Sequence, residues 1–173
     1  MAVKTVFRMG HPVLQKVAKP VTEFNTPELE GLIQDMLDTM AALDGAGLAA
    51  PQIGVSQRVV IFSVKHNVRY PEAEDIPLTV LINPQLTPVG EATDEDWEGC
   101  LSIPGMRGKV VRHKEISYRG QDQFGQEFER HVADFHARVV QHEVDHLDGI
   151  LYPQRMRDMQ QFGYTEELFG HEN

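Results

Sequence analysis

The run His142-Glu143-Val144-Asp145-His146 constrains this chain more than any other five residues in it. Its two imidazoles can act together only on an α-helix, where four residues advance the chain by about 400° and both side chains project from nearly the same side. The flanks agree: a helix is predicted from about Asp134 to Asp148, with Asp134 as a cap and Gly149 as the stop. Two histidines spaced this way can bind one divalent metal ion, and Glu143 lies beside them where a water on that ion would sit. At the His and Glu frequencies of this chain the pattern arises by chance with a likelihood of roughly 3%. The competing reading, two surface histidines on an amphipathic helix, therefore starts low.

The rest of the chain predicts what surrounds that helix. A first helix runs from about Pro27 to Leu43, with Asn25 and Thr26 available as caps and Pro27 suited to its first turn. Leu29, Leu32, Ile33, Met36, Leu37 and Met40 recur at helical spacing and form one apolar stripe, read as core. Gly45 and Gly47 stop that helix and open a loop, GAGLAAPQIG. Arg58 to Val64 and Leu78 to Ile82 are β-branched runs, the second ended by Asn83-Pro84, with HNVRYPEAEDIP between them as an exposed loop. Lys109 to Tyr118 and Gln126 to Val132 flank a Gly-Gln-Asp-Gln-Phe-Gly turn and read as a hairpin. Without repeats or a dividing linker, this predicts one α+β domain over residues 1–173, with antiparallel or mixed sheets around the HExxH helix and an amphipathic helix near the N-terminus.

Composition narrows the partners. Sixteen Lys plus Arg against 26 Asp plus Glu give a net charge of −10, which repels a phosphate backbone, so direct nucleic-acid binding is not expected. The single cysteine, Cys100, excludes an internal disulfide and fits a reducing compartment. The N-terminus MAVKTVFRMG carries no signal-peptide pattern, and no apolar run has the ~18 residues of a membrane span. A cytoplasmic protein is the expectation, with no protein partner inferable.

A catalytic metal needs a third protein ligand and an open position. The extended pattern H-E-x-x-H-x-x-G-x-x-H is followed as far as Gly149, but Tyr152 stands where its third His belongs. Glu166 or Glu167 downstream is one alternative, and Cys100 another. A lone Cys is more often a small buried apolar residue than a ligand, but Cys100 follows Gly99 and precedes Pro104-Gly105, an exposed, bending segment better suited to a ligand than to core packing.

Three segments together, GAGLAAPQIG at 45–54, EGCLS at 98–102 and QHEVDHLDG at 141–149, resemble the signature motifs of the peptide deformylase family, in its order and approximate spacing. The resemblance implies that Cys100, His142 and His146 hold the metal, Fe²⁺ in the cell, with Zn²⁺, Ni²⁺ or Co²⁺ able to substitute. It implies hydrolysis of N-formyl-L-methionyl nascent polypeptides to formate, a water on the metal attacking the formyl carbon with Glu143 as general base. Stabilisation of the developing oxyanion falls to the side-chain amide of Gln52 and the backbone N–H of Leu101 beside the metal. Gly45 and Gly47 would admit an extended peptide against the backbone, although helix termination explains Gly45 equally well. Glu98 would support the metal site through hydrogen bonds or hold the local turn, and Val139 and Val140 would line a methionine pocket. Asp145 and Asp148 point off the ligand face and read as solvated or structural, and His11, His66, His113, His131, His136 and His171 as surface residues. The acidic tail gives no support for docking on ribosomal RNA.

Overall fold

A computed structural model describes residues 2–65 and 74–170. Thr26 Oγ1 accepts the Leu29 N–H and starts α1, Pro27–Ala42, whose Leu29, Leu32, Ile33, Met36 and Met40 turn inward. The predicted GAGLAAPQIG loop is ordered instead: Gly47–Ala49 is strand β1 and Ala50–Ile53 a 3-10 turn. Strands β2 (Val59–Val64), β3 (Ile76–Pro88), β6 (Glu115–Gln121) and β7 (Glu127–Ala133) join β1 in an antiparallel sheet of order β1-β2-β3-β6-β7. A second antiparallel sheet, β4-β5-β8, is built from Thr93–Cys100, Ile103–His113 and Phe162–Tyr164. The long helix α2, Asp134–Leu147, and a short one, α3, Thr165–Phe169, complete the α+β fold.

Side-chain alternation along β2 explains the layering. Val60, Phe62 and Val64 face α2 in one apolar cluster, whereas Val59 and Ile61 face α1 in another, so the strand is buried on both sides. A third cluster, containing Cys100, Ile103, Val110, Leu151 and Tyr152, lies with the smaller sheet.

Several sequence expectations are corrected. Asn83-Pro84 does not end the strand: β3 continues to Pro88, with a register shift between Ile82 and Gln85 where Asn83 adopts φ 52°. The strand predicted from Lys109 to Tyr118 is two strands in different sheets, divided at Lys114, whose N–H bonds Ala92 and whose carbonyl accepts from Asp134. Asp134 makes no side-chain cap; it is the first helical residue, at φ 55°, and α2 closes at Leu147 with Gly149 at φ 73°. Cys100 ends β4 and is buried, not exposed on a bend. His66, His171 and residues 66–73 of the predicted loop lie outside the described residues, and Ile76-Pro77 already belongs to β3.

Candidate metal centre

Helix α2 is buried almost all round from Ala137 to Leu147, so its polar residues must find partners inside the protein. His142 and His146 lie one turn apart, their rings edge to face with centroids 5.2 Å apart, and β4 brings Cys100 against them. The ligand atoms of Cys100, His142 and His146 all lie within 4.8 Å of one another. Cys100 Sγ is 3.4 Å from His146 Nε2. Tetrahedral bonds of ordinary zinc-site length would put sulfur and nitrogen about 3.5 Å apart. One soft thiolate and two imidazoles suit a divalent transition metal, and the donor set fits that ion.

The surroundings fix each donor. His142 Nδ1 donates to Glu98 Oε1 at 2.8 Å, which leaves Nε2 for the cluster. Glu98 in turn accepts from both Nε and Nη2 of Arg112 at 2.9 Å and from Arg138 at 2.8 Å. Burial alone would raise the Glu98 carboxyl, but hydrogen bonds and charge from Arg112 and His142 outweigh it and hold the group far below the carboxylate range. Arg112 also binds Asp145, which accepts from Arg155 as well. Asp145 is thus a buried ion-pair partner and not a solvated residue. Its neighbour Asp148 does stay half exposed, bonded to Arg58.

Glu143 is buried and its Oε2 has no hydrogen-bond partner among the described residues. Burial pushes its carboxyl up to about 7, with His142 pulling the other way and Glu98 adding to the rise. Gln52 Oε1 accepts the Ala49 N–H at 2.9 Å, which turns its Nε2 toward Ser102 Oγ at 3.1 Å and Cys100 Sγ at 3.6 Å. A cleft of about 520 Å³, counting its open mouth, is lined by Gly45, Gly47, Gln52, Cys100, Leu101, His142 and Glu143. Ala46, Trp97, Phe135 and Val139 also line it, while Val140 is packed in the core. A Cβ on Gly47 would stand 2.6 Å from Glu143 Oε1, and one on Gly45 would meet Leu101 Cδ1 at 3.0 Å.

Glu166 and Glu167 stand exposed on α3 and are outside the ligand cluster. Tyr152 is buried with its ring stacked on His142 at 6.0 Å. His136 is half-buried, hydrogen-bonded to Tyr118, which corrects its reading as a surface residue; His11, His113 and His131 are exposed. Sequence reasoning missed Arg112, Arg138 and Ser102. A signal existed for Arg112, a charged residue at the inward parity of a strand otherwise occupied by Gly108 and Val110.

A Cys/His₂ donor set beside a buried carboxylate at the floor of a cleft defines a metal-dependent hydrolase class. The model of the polypeptide deformylase family matches residues 3–162, and the chain belongs to that family. It is 63% identical to peptide deformylase 1 of Nitrosomonas europaea over 96% of this chain and 95% of that one. Identity to peptide deformylase 2 of Ralstonia nicotianae is 56% over 96% and 94%. A Met-Ala-Ser-bound structure of a class I type b peptide deformylase from Acinetobacter baumannii superposes with a TM-score of 0.86 at 38% identity, covering 90% of this chain and 99% of that one. An actinonin complex of the Synechococcus elongatus enzyme gives 0.81 at 33% identity over 90% and 80%. The protein is accordingly an enzyme, a peptide deformylase by family. No helix among the described residues is long and apolar enough to cross a membrane.

Proposed function

We propose that this single domain, built around α2 with the amphipathic α1 behind it, removes the formyl group from N-formyl-L-methionyl nascent peptides in the cytoplasm. Cys100, His142 and His146 hold one divalent ion, Fe²⁺ in the cell, with Zn²⁺, Ni²⁺ or Co²⁺ able to replace it. When bound, such an ion supplies Lewis acidity: it polarises the formyl carbonyl and lowers the pKa of water beside it. Glu143 takes the proton of the attacking water on its carboxylate and delivers it to the departing amine as the C–N bond breaks, giving formate and a free N-terminal methionine. Its carboxyl, buried and raised to about 7, is matched to a base that must also return the proton at neutral pH. Gln52, its amide oriented by Ala49, and the backbone N–H of Leu101 donate to the oxygen on which negative charge develops. The substrate backbone adds as a strand along the outer edge of β1, beside the cleft that Gly45 and Gly47 line.

The observation that carries this reading is the buried, unpartnered Glu143 Oε2 beside the Cys100–His142–His146 cluster. The test is formate release from formyl-Met-Ala-Ser by Fe²⁺-loaded protein under anaerobic conditions, beside an internally blocked peptide. Wild type should release formate and leave the control intact. Glu143→Gln should lose ~10²–10⁴ in rate while retaining its metal. Full activity of that variant would refute the role of the base.

A further inference from the structure

Gln52 and the backbone N–H of Leu101 belong to different parts of the chain, one in the 3-10 turn Ala50–Ile53 and the other just after β4. The Ala49 N–H fixes the Gln52 amide within its own turn but cannot set how far that turn stands from Leu101. Residues 7–9 reach both sides. The Phe7 N–H donates to the Gln52 carbonyl at 2.8 Å, and the Met9 N–H to the Ser102 carbonyl at 2.9 Å. The side chains of those two acceptor residues also meet, Gln52 Nε2 donating to Ser102 Oγ at 3.1 Å, and both are buried. The Phe7 ring is seated on the end of the same turn. Gly54 closes that turn at φ 91°, and a Cβ there would stand 2.9 Å from Phe7 Cε2, so the ring lies directly against backbone. His11 meets the ring with centroids 4.2 Å apart, and is itself held by the Val13 N–H on its Nδ1. Upstream, the Lys4 N–H donates to Thr39 Oγ1 of α1, so the segment is anchored at both ends. Among the described residues Phe7 belongs to none of the three apolar clusters; its ring packs on a turn and not in a core.

We infer that residues 7–9 clasp the two oxyanion donors to one another, and that Phe7 is the positioning residue of this clasp, acting on the reaction only through Gln52. The inference rests on the deformylase reading of the cleft. Donors to a developing oxyanion act because they are placed in advance, and a displacement of about 1 Å in one of them costs up to ~10² in rate. Two main-chain hydrogen bonds from one short segment hold the separation of the two loops in a way that side-chain contacts alone do not, since no change of rotamer breaks them. The N-terminal segment thereby becomes part of the catalytic apparatus without touching substrate.

The test uses the full chain loaded with metal, and formyl-Met-Ala-Ser as substrate. Phe7→Ala should lower kcat about tenfold, leave KM within about twofold and keep the wild-type metal content, the pattern of an interaction made in the transition state alone. Phe7→Tyr, which keeps the ring, should retain the wild-type kcat. Gln52→Ala should lose ~10²–10³ in kcat, and adding Phe7→Ala to it should cost nothing more, because the donor that Phe7 positions is already gone. Phe7→Leu, a milder change that serves where alanine does not fold, should lower kcat about threefold, and that loss should likewise vanish beside Gln52→Ala. A Phe7→Ala enzyme with wild-type kcat overturns the inference. So do losses that multiply in the double variant, and so does a Phe7→Ala protein that sheds its metal, which would place the effect on Cys100 instead of Gln52. Wild-type protein that binds metal but releases no formate would sink the deformylase reading itself, a result read before any variant is made.

Discussion

At Gly47 an added Cβ would stand 2.6 Å from Glu143 Oε1 and 2.8 Å from its Cγ, so the whole side chain of the proposed base would have to move. Gly47→Ala should cost about 1–3 kcal/mol in urea unfolding and lower kcat/KM about 10- to 100-fold, with metal content unchanged. Activity within twofold of wild type would show that Glu143 tolerates displacement. The sequence signalled that something approaches this backbone closely, and a peptide was the expectation. The nearest group is the protein's own carboxylate, which no spacing between residues 47 and 143 reveals. His136 went unread for a similar reason, since its environment comes from β2 and β6. Tyr118 Oη accepts from Arg130 and so has its proton to give to His136 Nε2, which favours a neutral imidazole. Burial, with the Arg130 charge adding, lowers the ring to about 4 from 6.5. The unfolded chain then binds the extra proton, so this stabilisation is full above pH 6.5 and is lost as pH falls toward 4. Discounted for solvent screening of a half-exposed ring, the loss between pH 7 and 5 is about 1 kcal/mol. It should appear as a difference between wild type and His136→Gln in denaturant titrations at the two pH values. Parallel curves for the two proteins would contradict it.

Among the elements, β3 shows how a strand passes a sequence that reads as its end. Asn83 takes the left-handed conformation that a small polar side chain tolerates, and its amide accepts the Val21 N–H while donating to the Val21 carbonyl and to Gln121 Oε1. The bend is absorbed and β3 pairs onward with β6. Asn83→Ala should destabilise by about 2–4 kcal/mol, combining the positive φ with the lost hydrogen bonds. Asn83→Gly relieves the φ alone and should recover only part of the loss in thermal or urea unfolding. If glycine restored wild-type stability, the amide bridge to Val21 would contribute nothing. The division of β5 from β6 was hidden more thoroughly. Gly108, Val110, Arg112, Ile116 and Tyr118 are all buried at even positions, so the inward parity is the same on both sides of the exposed Lys114 while the chain changes sheets. By contrast α1 and α2 were legible, because the Thr26 cap and apolar spacing of α1 and the HExxH pattern of α2 are all local to the helix.

Across the whole molecule, the smaller sheet is tied to α2 through buried charge. Glu98 from β4 and Arg112 from β5 meet Arg138, His142 and Asp145 of α2, and Arg155 closes the chain at the surface. Apart from Glu98 as a candidate support of the metal site, this network was not legible, since the partners lie 10 to 44 residues apart and charged side chains in sequence read first as solvated. The cluster spans the junction at which Cys100 must meet His142 and His146, so stability and metal site share one support. Arg112→Met removes one buried cation and leaves Glu98 with Arg138 and His142, and Asp145 with Arg155. The expected cost is therefore at the lower end for a broken buried pair, about 3 kcal/mol, read from urea unfolding of the metal-loaded protein. Because Glu98 orients His142 through Nδ1, the same variant should bind metal about 10- to 100-fold more weakly in chelator competition. The two readouts are expected to move together, as both trace to the position of one carboxylate. A variant that lost stability while keeping wild-type metal affinity would separate the support of the sheet from the support of the ligand and overturn that coupling.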